Sequence, residues 1–158
     1  MSATDASRNS RSAHTIVEEI TIRASAERIF AALTDPQQRV HWWGVAGRFQ
    51  ATHMESDLRP GGRWLTRGTA GGGRPFTVTG EYRLIEPPHA LAFTWNADWD
   101  ADAPESLVRF DLSERDGVTT VRLTHSGLTP ASRERHKGWP EILGWLKHYA
   151  ERPSPAAP

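Results

Sequence analysis

The chain has 158 residues and contains no cysteine. Disulfides, thiolate catalysis and cysteine-ligated metal sites are therefore excluded, and this lack agrees with a reducing compartment. The chain also lacks an apolar run approaching about 18 residues, so the sequence predicts no membrane span. Its first 14 residues are polar and do not contain the apolar segment of a secretory signal. We predict a cytoplasmic protein.

An excess of one charge is missing as well. Lysine and arginine together number 19, and so do aspartate and glutamate, which gives a formal net charge of zero. A protein that binds phosphate backbones usually carries a basic surplus, so we expect no nucleic-acid partner. The chain is rich in one residue type, with seven tryptophans. Side chains of that size in that number line either a core or a pocket.

The length suits one domain, which we place at residues 15–150. Residues 1–14 are small and polar, and residues 151–158 hold three prolines. Both ends are therefore predicted to be disordered tails.

The order of predicted elements indicates an α+β fold. A strand over residues 15–23 precedes two short helices, which Ser25 and Asp35 cap. Six strand patterns follow, over residues 49–55, 62–67, 75–85, 90–95, 106–113 and 118–126. Because short turns join these strands, we expect an antiparallel meander with one apolar face to be covered.

The last helix is predicted to cover that face. Its apolar residues recur at helical spacing, at Trp139, Ile142, Leu143, Leu146 and Tyr149. The proline at position 140 cannot donate to the preceding turn, so we expect a kink or restart near position 138.

Several motifs, taken in this order, resemble one known superfamily. They are Ile22–Phe30 (IRASAERIF), Trp42-Trp43-Gly44, Asp57–Trp64 (DLRPGGRW), Gly80-Glu81-Tyr82, Phe93-Thr94-Trp95, Leu123–Leu128 (LTHSGL) and Gly138-Trp139. Across residues 15–150 the chain resembles the START, birch-pollen-allergen and polyketide-cyclase superfamily (SRPBCC). Within it, the chain is most similar to the family related to the C-terminal domain of the heat-shock-protein-90 ATPase activator.

This resemblance implies a helix-grip fold, in which a curved antiparallel sheet of about six or seven strands wraps round a long C-terminal helix. It also implies an internal cavity for an apolar or amphipathic ligand between the sheet and that helix. The candidate cavity residues are Phe30, Trp43, Phe49, Trp64, Tyr82, Phe93, Trp95, Val108, Phe110, Leu123, His125, Trp139, Leu143 and Leu146. We predict no catalytic residue, no metal and no cofactor. The same side chains could instead fill each other's space as an ordinary core.

Three functions stay open. The first is binding of a small hydrophobic or amphipathic molecule, oriented by Tyr82 and His125. The second is a polyketide-cyclase-like or lyase-like enzyme, in which a pocket histidine or tyrosine moves a proton. The third is a protein-interaction module, either a homodimer or a co-chaperone. The eukaryotic co-chaperone has a separate N-terminal chaperone-binding domain where this chain has about 14 residues, which argues against a chaperone partner.

Three other motifs do not predict a site. The acidic segment Asp98–Glu105 spaces carboxylates as calcium loops do, but it lacks the glycine and the closing glutamate of an EF-hand, so we predict a solvent-exposed hairpin loop. The glycine run Gly71–Gly73 joins two strands without the lysine of a phosphate-binding loop. The histidines show neither H-x-x-x-H nor H-E-x-x-H spacing, so no zinc site is predicted.

Overall fold

Eight strands form one curved antiparallel sheet in the part of the chain that the computed structural model describes, residues 14–45 and 49–153. The strands are β1 (Ile16–Ile22), β2 (Gly44–Val45), β3 (Phe49–Ser56), β4 (Arg63–Ala70), β5 (Pro75–Glu86), β6 (Ala90–Ala97), β7 (Ser106–Arg115) and β8 (Val118–Ser126). The helices are α1 (Ala26–Thr34), α2 (Pro36–Trp42), α3 (Pro130–Arg135) and α4 (Trp139–Ala150). The predicted α+β helix-grip fold is confirmed, and the two-residue strand β2 is an addition to it. The predicted tails lie almost entirely outside the described residues and stay predictions.

The sheet is a meander with one exception. Its strand order is β1-β8-β7-β6-β5-β4-β3-β2, so each strand from β2 to β8 pairs with its neighbours in sequence. The exception is β1, which pairs with β8 so that Ile16 lies opposite His125 and Ile22 opposite Thr119. Register shifts within β3 and β5 interrupt the pairing and help the sheet to curl.

The two short helices begin where their capping residues predict. Ser25 accepts a hydrogen bond from the backbone of Arg28 at 3.1 Å, and Asp35 accepts one from the backbone of Gln37 at 3.0 Å. Pro36 occupies the first turn of α2, where no backbone donor is needed. Together α1 and α2 close one part of the sheet's inner face, against which Ile29 and the rest of the apolar side of α1 are buried.

The C-terminal segment is two helices joined by a short break. Thr129 caps α3 by accepting a hydrogen bond from the backbone of Ser132 at 3.1 Å. Helix α3 ends at Arg135, and α4 begins at Trp139 with a proline in its first turn. The restart predicted near position 138 is therefore confirmed. From α4 a stripe of side chains is buried against the sheet, namely Trp139, Leu143, Leu146 and Ala150.

Gly80 is a position where the sheet has no room for a side chain. A Cβ atom there would overlap the backbone oxygen of Thr94 and would lie 2.5 Å from the indole nitrogen of Trp64. We expect Gly80→Ala to lower the free energy of unfolding by about 1–3 kcal/mol, because neither a paired strand nor a buried tryptophan can move aside without loss. Urea unfolding followed by circular dichroism measures this.

Gly144 provides the matched control. It lies in α4, and nothing lies within 4 Å of a Cβ atom added there. Gly144→Ala should therefore raise the free energy of unfolding by up to about 1 kcal/mol, as expected in a helix interior. Equal effects of the two substitutions would show that the space at Gly80 is not what constrains it.

Candidate functional site

A cavity of about 350 Å³ lies between the inner face of the sheet and the beginning of α4. It is bounded by the end of α2, the start of β3, the end of β6, the loop that follows β6, and the break between α3 and α4. Its lining residues are Trp43, Phe49, Trp95, Trp99, Arg135, His136, Gly138, Trp139, Glu141, Ile142 and Trp145. Aromatic and aliphatic side chains therefore form most of the wall, and Arg135, His136 and Glu141 are charged or polar lining residues.

Helix α4 contributes to the cavity with a second face beside its core stripe. Trp139, Ile142 and Trp145 follow one another at intervals of three residues, so they lie along one side of the helix. All three line the cavity. Ile142 and Trp145 are only partly buried, whereas Trp139 is also part of the buried stripe. The helix thus packs with one face and leaves the adjacent face as a cavity wall.

Four of the five tryptophans that line the cavity form a connected aromatic cluster. Trp95 lies at its centre, with ring centroids 5.3 Å from Trp139, 6.2 Å from Trp43 and 6.5 Å from Trp99. The planes of Trp43 and Trp95 are 29° apart, and those of Trp43 and Trp139 are 82° apart. Offset-stacked and edge-to-face contacts of this kind are favourable. The tryptophans of the wall therefore stabilise one another's positions.

His125 lies behind this wall, fully buried, and does not line the cavity. Its Nδ1 receives a hydrogen bond from the indole N–H of Trp139 at 3.1 Å, and its Nε2 lies 2.8 Å from the hydroxyl of Ser106. An indole N–H can only donate, so Nδ1 accepts and the proton of the neutral ring is on Nε2. Burial, and secondarily the nearby His136, lowers the pKa of His125 to about 3.

His136 lines the cavity but is held in the same way. Its Nε2 accepts a hydrogen bond from the indole N–H of Trp95 at 3.0 Å, and its Nδ1 lies 2.7 Å from the carbonyl oxygen of Ser132, to which it donates. Burial lowers its pKa as well. Both histidines are therefore neutral near pH 7, and each ring uses both nitrogens in bonds to the protein.

The lining residue Arg135 pairs with a buried carboxylate, that of Asp100. Asp100 has only 4% of its side chain exposed, and Arg135 of α3 donates a short hydrogen bond to it. Burial raises the pKa of Asp100, but hydrogen bonds from Ser132 and Arg135 outweigh it, so the pKa is lowered overall. The predicted solvent-exposed loop over Asp98–Glu105 is thus wrong at Asp100, because α3 supplies a partner that the local sequence does not show.

The candidate residues named from the sequence divide into two groups. Trp43, Phe49, Trp95 and Trp139 line the cavity. The other ten are buried elsewhere in the core and do not line it: Phe30, Trp64, Tyr82, Phe93, Val108, Phe110, Leu123, His125, Leu143 and Leu146. Of the two expected ligand-orienting groups, Tyr82 has its hydroxyl 2.6 Å from the hydroxyl of Ser56, and His125 is held as described above.

Sequence reasoning did not select the remaining lining residues, which include Trp99, Arg135 and His136. A signal was present for the helical ones, since Ile142 and Trp145 share the three-residue spacing of Trp139. For Arg135 and His136 the sequence offers no comparable signal, because their position follows from the break between α3 and α4.

Two further properties of the described residues bear on what the site can hold. Within residues 14–45 and 49–153, no group of three or more histidine, aspartate or glutamate side chains is placed to bind a metal ion. In the same ranges, none of the helices combines the length and the apolar character that crossing a bilayer requires.

The family model for Activator of Hsp90 ATPase homolog 1-like proteins matches residues 23–151. No curated protein matches the chain. The match begins directly after β1 and extends through α4, so it includes every element that lines the cavity.

Solved structures share the fold at low sequence identity. Protein CV1439 from Chromobacterium violaceum has a TM-score of 0.78 at 23% identity, over 89% of this chain and 99% of that one. CalU16 from Micromonospora echinospora has a TM-score of 0.66 at 24% identity, over 86% of this chain and 75% of that one. DynU16, a protein in the dynemicin biosynthetic locus, has a TM-score of 0.69 at 22% identity, over 87% of this chain and 47% of that one. These likenesses concern the fold.

Proposed function

The chain belongs to the family of Activator of Hsp90 ATPase homolog 1-like proteins, and on that premise we propose that it binds a small hydrophobic or amphipathic molecule in the cavity beside α4. The observation that carries this proposal is the composition of the cavity wall, to which five of the seven tryptophans contribute. A volume of about 350 Å³ lies within the range of small-molecule pockets. Burial of ligand surface there would contribute about 25 cal/mol per Å² before the costs of association.

The proposed ligand contacts are Trp43, Phe49, Trp95 and Trp139, together with Ile142 and Trp145. For the ten sequence candidates that do not line the cavity, a ligand contact stays a prediction.

The histidines support binding over proton transfer. A general base needs a nitrogen within hydrogen-bond reach of the proton that it removes. His125 does not line the cavity, and its nitrogens face Trp139 and Ser106. His136 does line it, but its nitrogens face Trp95 and Ser132. We therefore favour ligand binding without turnover. The cytoplasmic location, the homodimer and the co-chaperone role stay predictions.

Calorimetric titration with 1-naphthaleneacetamide, an uncharged two-ring compound, tests the proposal. We expect saturable binding by the wild type. Ile142→Trp should weaken that binding at least about tenfold, because a larger side chain at this position fills part of the cavity. A tenfold change corresponds to about 1.4 kcal/mol.

Leu58→Trp is the matched control, since it adds the same ring at an exposed turn residue between β3 and β4. It should bind like the wild type. Equal affinities of Ile142→Trp and the wild type would place the compound outside the cavity. Failure of the wild type to bind 1-naphthaleneacetamide would count against the proposed function for ligands of this size.

A further inference from the structure

Arg39 of α2 is a buried cation that has no acidic partner among the residues of the described ranges. Its side chain lies inside the fold, with 3% of the residue exposed. Ion pairs within residues 14–45 and 49–153 involve other basic side chains and leave Arg39 out. Burial lowers its pKa to about 10, which still leaves the guanidinium charged at neutral pH. A buried charge without a counter-charge is costly, so its surroundings decide what it can do.

The groups that do surround Arg39 compensate its charge only in part. Its Nη1 donates to the carbonyl oxygen of Leu33 at 3.0 Å. Its guanidinium carbon lies 4.2 Å from the ring centroid of Trp43 and 5.8 Å from those of Trp42 and Trp64. Aromatic faces attract a cation, but they do not accept its in-plane N–H groups as a carboxylate does.

Tyr82 does not act as the counter-ion. Burial raises the pKa of its phenol, and the hydrogen bond with Ser56 and the charge of Arg39 only oppose that effect. The phenol is therefore neutral at pH 7 and leaves the charge of Arg39 in place.

Unpartnered donors occur on Arg39 itself and on two of the tryptophans that its guanidinium contacts. Within the described residues, Arg39 Nε, Trp43 Nε1 and Trp64 Nε1 are buried and have no hydrogen-bond partner. All three are N–H groups that can only donate. The hydroxyl of Thr66, two residues after Trp64 on the same face of β4, is also buried and unpartnered. A guanidinium with a free Nε–H, in contact with two indoles whose N–H groups are also free, is the complement of a group that is negative and only accepts.

We propose that Arg39, with the indole N–H groups of Trp43 and Trp64, forms an internal binding site for a carboxylate. A carboxylate is planar, accepts hydrogen bonds through two oxygens, and pairs with the fork of a guanidinium. Trp43 both contacts the guanidinium and lines the cavity, so Arg39 lies directly behind the cavity wall. The carboxylate is either a small free acid or the acid group of the cavity ligand. The second source rests on the proposed function, and the first does not.

The experiment compares carboxylates with matched neutral or non-carboxylate compounds. Thermal unfolding in sodium formate is compared with sodium chloride at equal ionic strength. Calorimetric titration with 1-naphthaleneacetate is compared with 1-naphthaleneacetamide, which has the same rings and no charge. If the carboxylate is a small free acid, formate raises the melting temperature of the wild type by about 3 °C or more at saturation. If it belongs to the cavity ligand, the acid binds at least about tenfold more tightly than the amide.

Arg39→Met removes the charge at similar length, and either preference should disappear in it. Replacement of a buried charge by an apolar side chain is often neutral or stabilising, so this variant should fold. Arg39→Gln is a second variant that retains a polar end. Arg63→Met is the control, because Arg63 is exposed on β4 beside Trp64 and should leave both preferences unchanged.

Each outcome decides between the sources or against the site. A formate effect that depends on Arg39, with no binding of either naphthalene compound, supports the small acid and contradicts the proposed function. Equal binding of acid and amide, with no formate effect, overturns the carboxylate site and leaves the cavity function standing. A preference that survives Arg39→Met, or that Arg135→Met removes instead, also overturns the site.

Discussion

Trp139→Ala is expected to lower the free energy of unfolding by about 3–5 kcal/mol. Trp139 is almost fully buried at the start of α4 and packs against Trp95 and Trp43. Alanine would remove this packing and would leave a void that the rigid aromatic wall cannot close. It would also leave Nδ1 of His125 without its donor. Since domains of this size are stable by only about 5–15 kcal/mol, the loss is a large part of the total. Denaturant unfolding measures it.

Trp139→Phe separates packing from hydrogen bonding. Phenylalanine retains most of the apolar volume but has no N–H for His125. The expected loss is about 1–3 kcal/mol, which is typical of a buried acceptor left without a partner. A loss for Trp139→Phe as large as that for Trp139→Ala would show that the hydrogen bond, not the packing, dominates at this position.

Mild acid is also expected to lower the free energy of unfolding strongly, mainly through His125. The pKa of this residue is lowered to about 3, mainly by burial, whereas the unfolded chain takes up the same proton near 6.5. Between these values the unfolded state binds more protons than the native state. Stability is therefore fully present above about pH 6.5 and falls as the pH falls. We expect a loss of about 2–3 kcal/mol between about pH 6.5 and pH 4.5, and the lowered pKa of His136 adds to it.

His125→Gln should flatten this pH dependence, because glutamine retains hydrogen-bonding capacity and does not titrate. The stability of this variant at neutral pH need not equal that of the wild type, because the comparison uses only the slope of the free energy of unfolding against pH. His41→Gln, at an exposed position of α2, is the matched control and should retain the profile of the wild type. Urea midpoints across the pH series provide the data. An unchanged slope in His125→Gln would mean that other groups account for the acid sensitivity.

The sequence was sufficient for the fold because its signals are local and agree with one another. Alternating strands, the capping residues Ser25 and Asp35, and the proline near the start of α4 each act within a few residues. The antiparallel meander follows from them, whereas the curvature of the sheet was implied by the family resemblance. The strand β2 was not predicted, because two residues carry no periodicity that a pattern can show.

The site was less accessible to sequence reasoning, because inward orientation and cavity lining are different properties. The pattern of β8 places Leu123 and His125 on the buried face, and the structure agrees. Whether an inward side chain meets a cavity or a neighbour depends on contacts across the sheet, such as the one between His125 and Trp139. The charge of Arg39 is a similar case, since the sequence of α2 alone does not show that this residue faces tryptophans.

The pairing of β1 with β8 has a consequence for the order of folding. Strands β3 to β8 can pair through successive hairpins, because each lies beside its neighbour in sequence. The pairing of β1 with β8 instead joins Ile16 to His125, which are separated by nearly the whole domain in sequence. Closing so long a loop costs conformational entropy, and only a large number of contacts compensates for that cost. Strand β1, which pairs with the strand that carries His125, is therefore expected to join the sheet last. A nascent chain on the ribosome can form the hairpins as they emerge. Strand β1 is synthesised first, but it can pair only after β8, the last strand, has emerged. The part of the sheet behind the cavity is completed at that point.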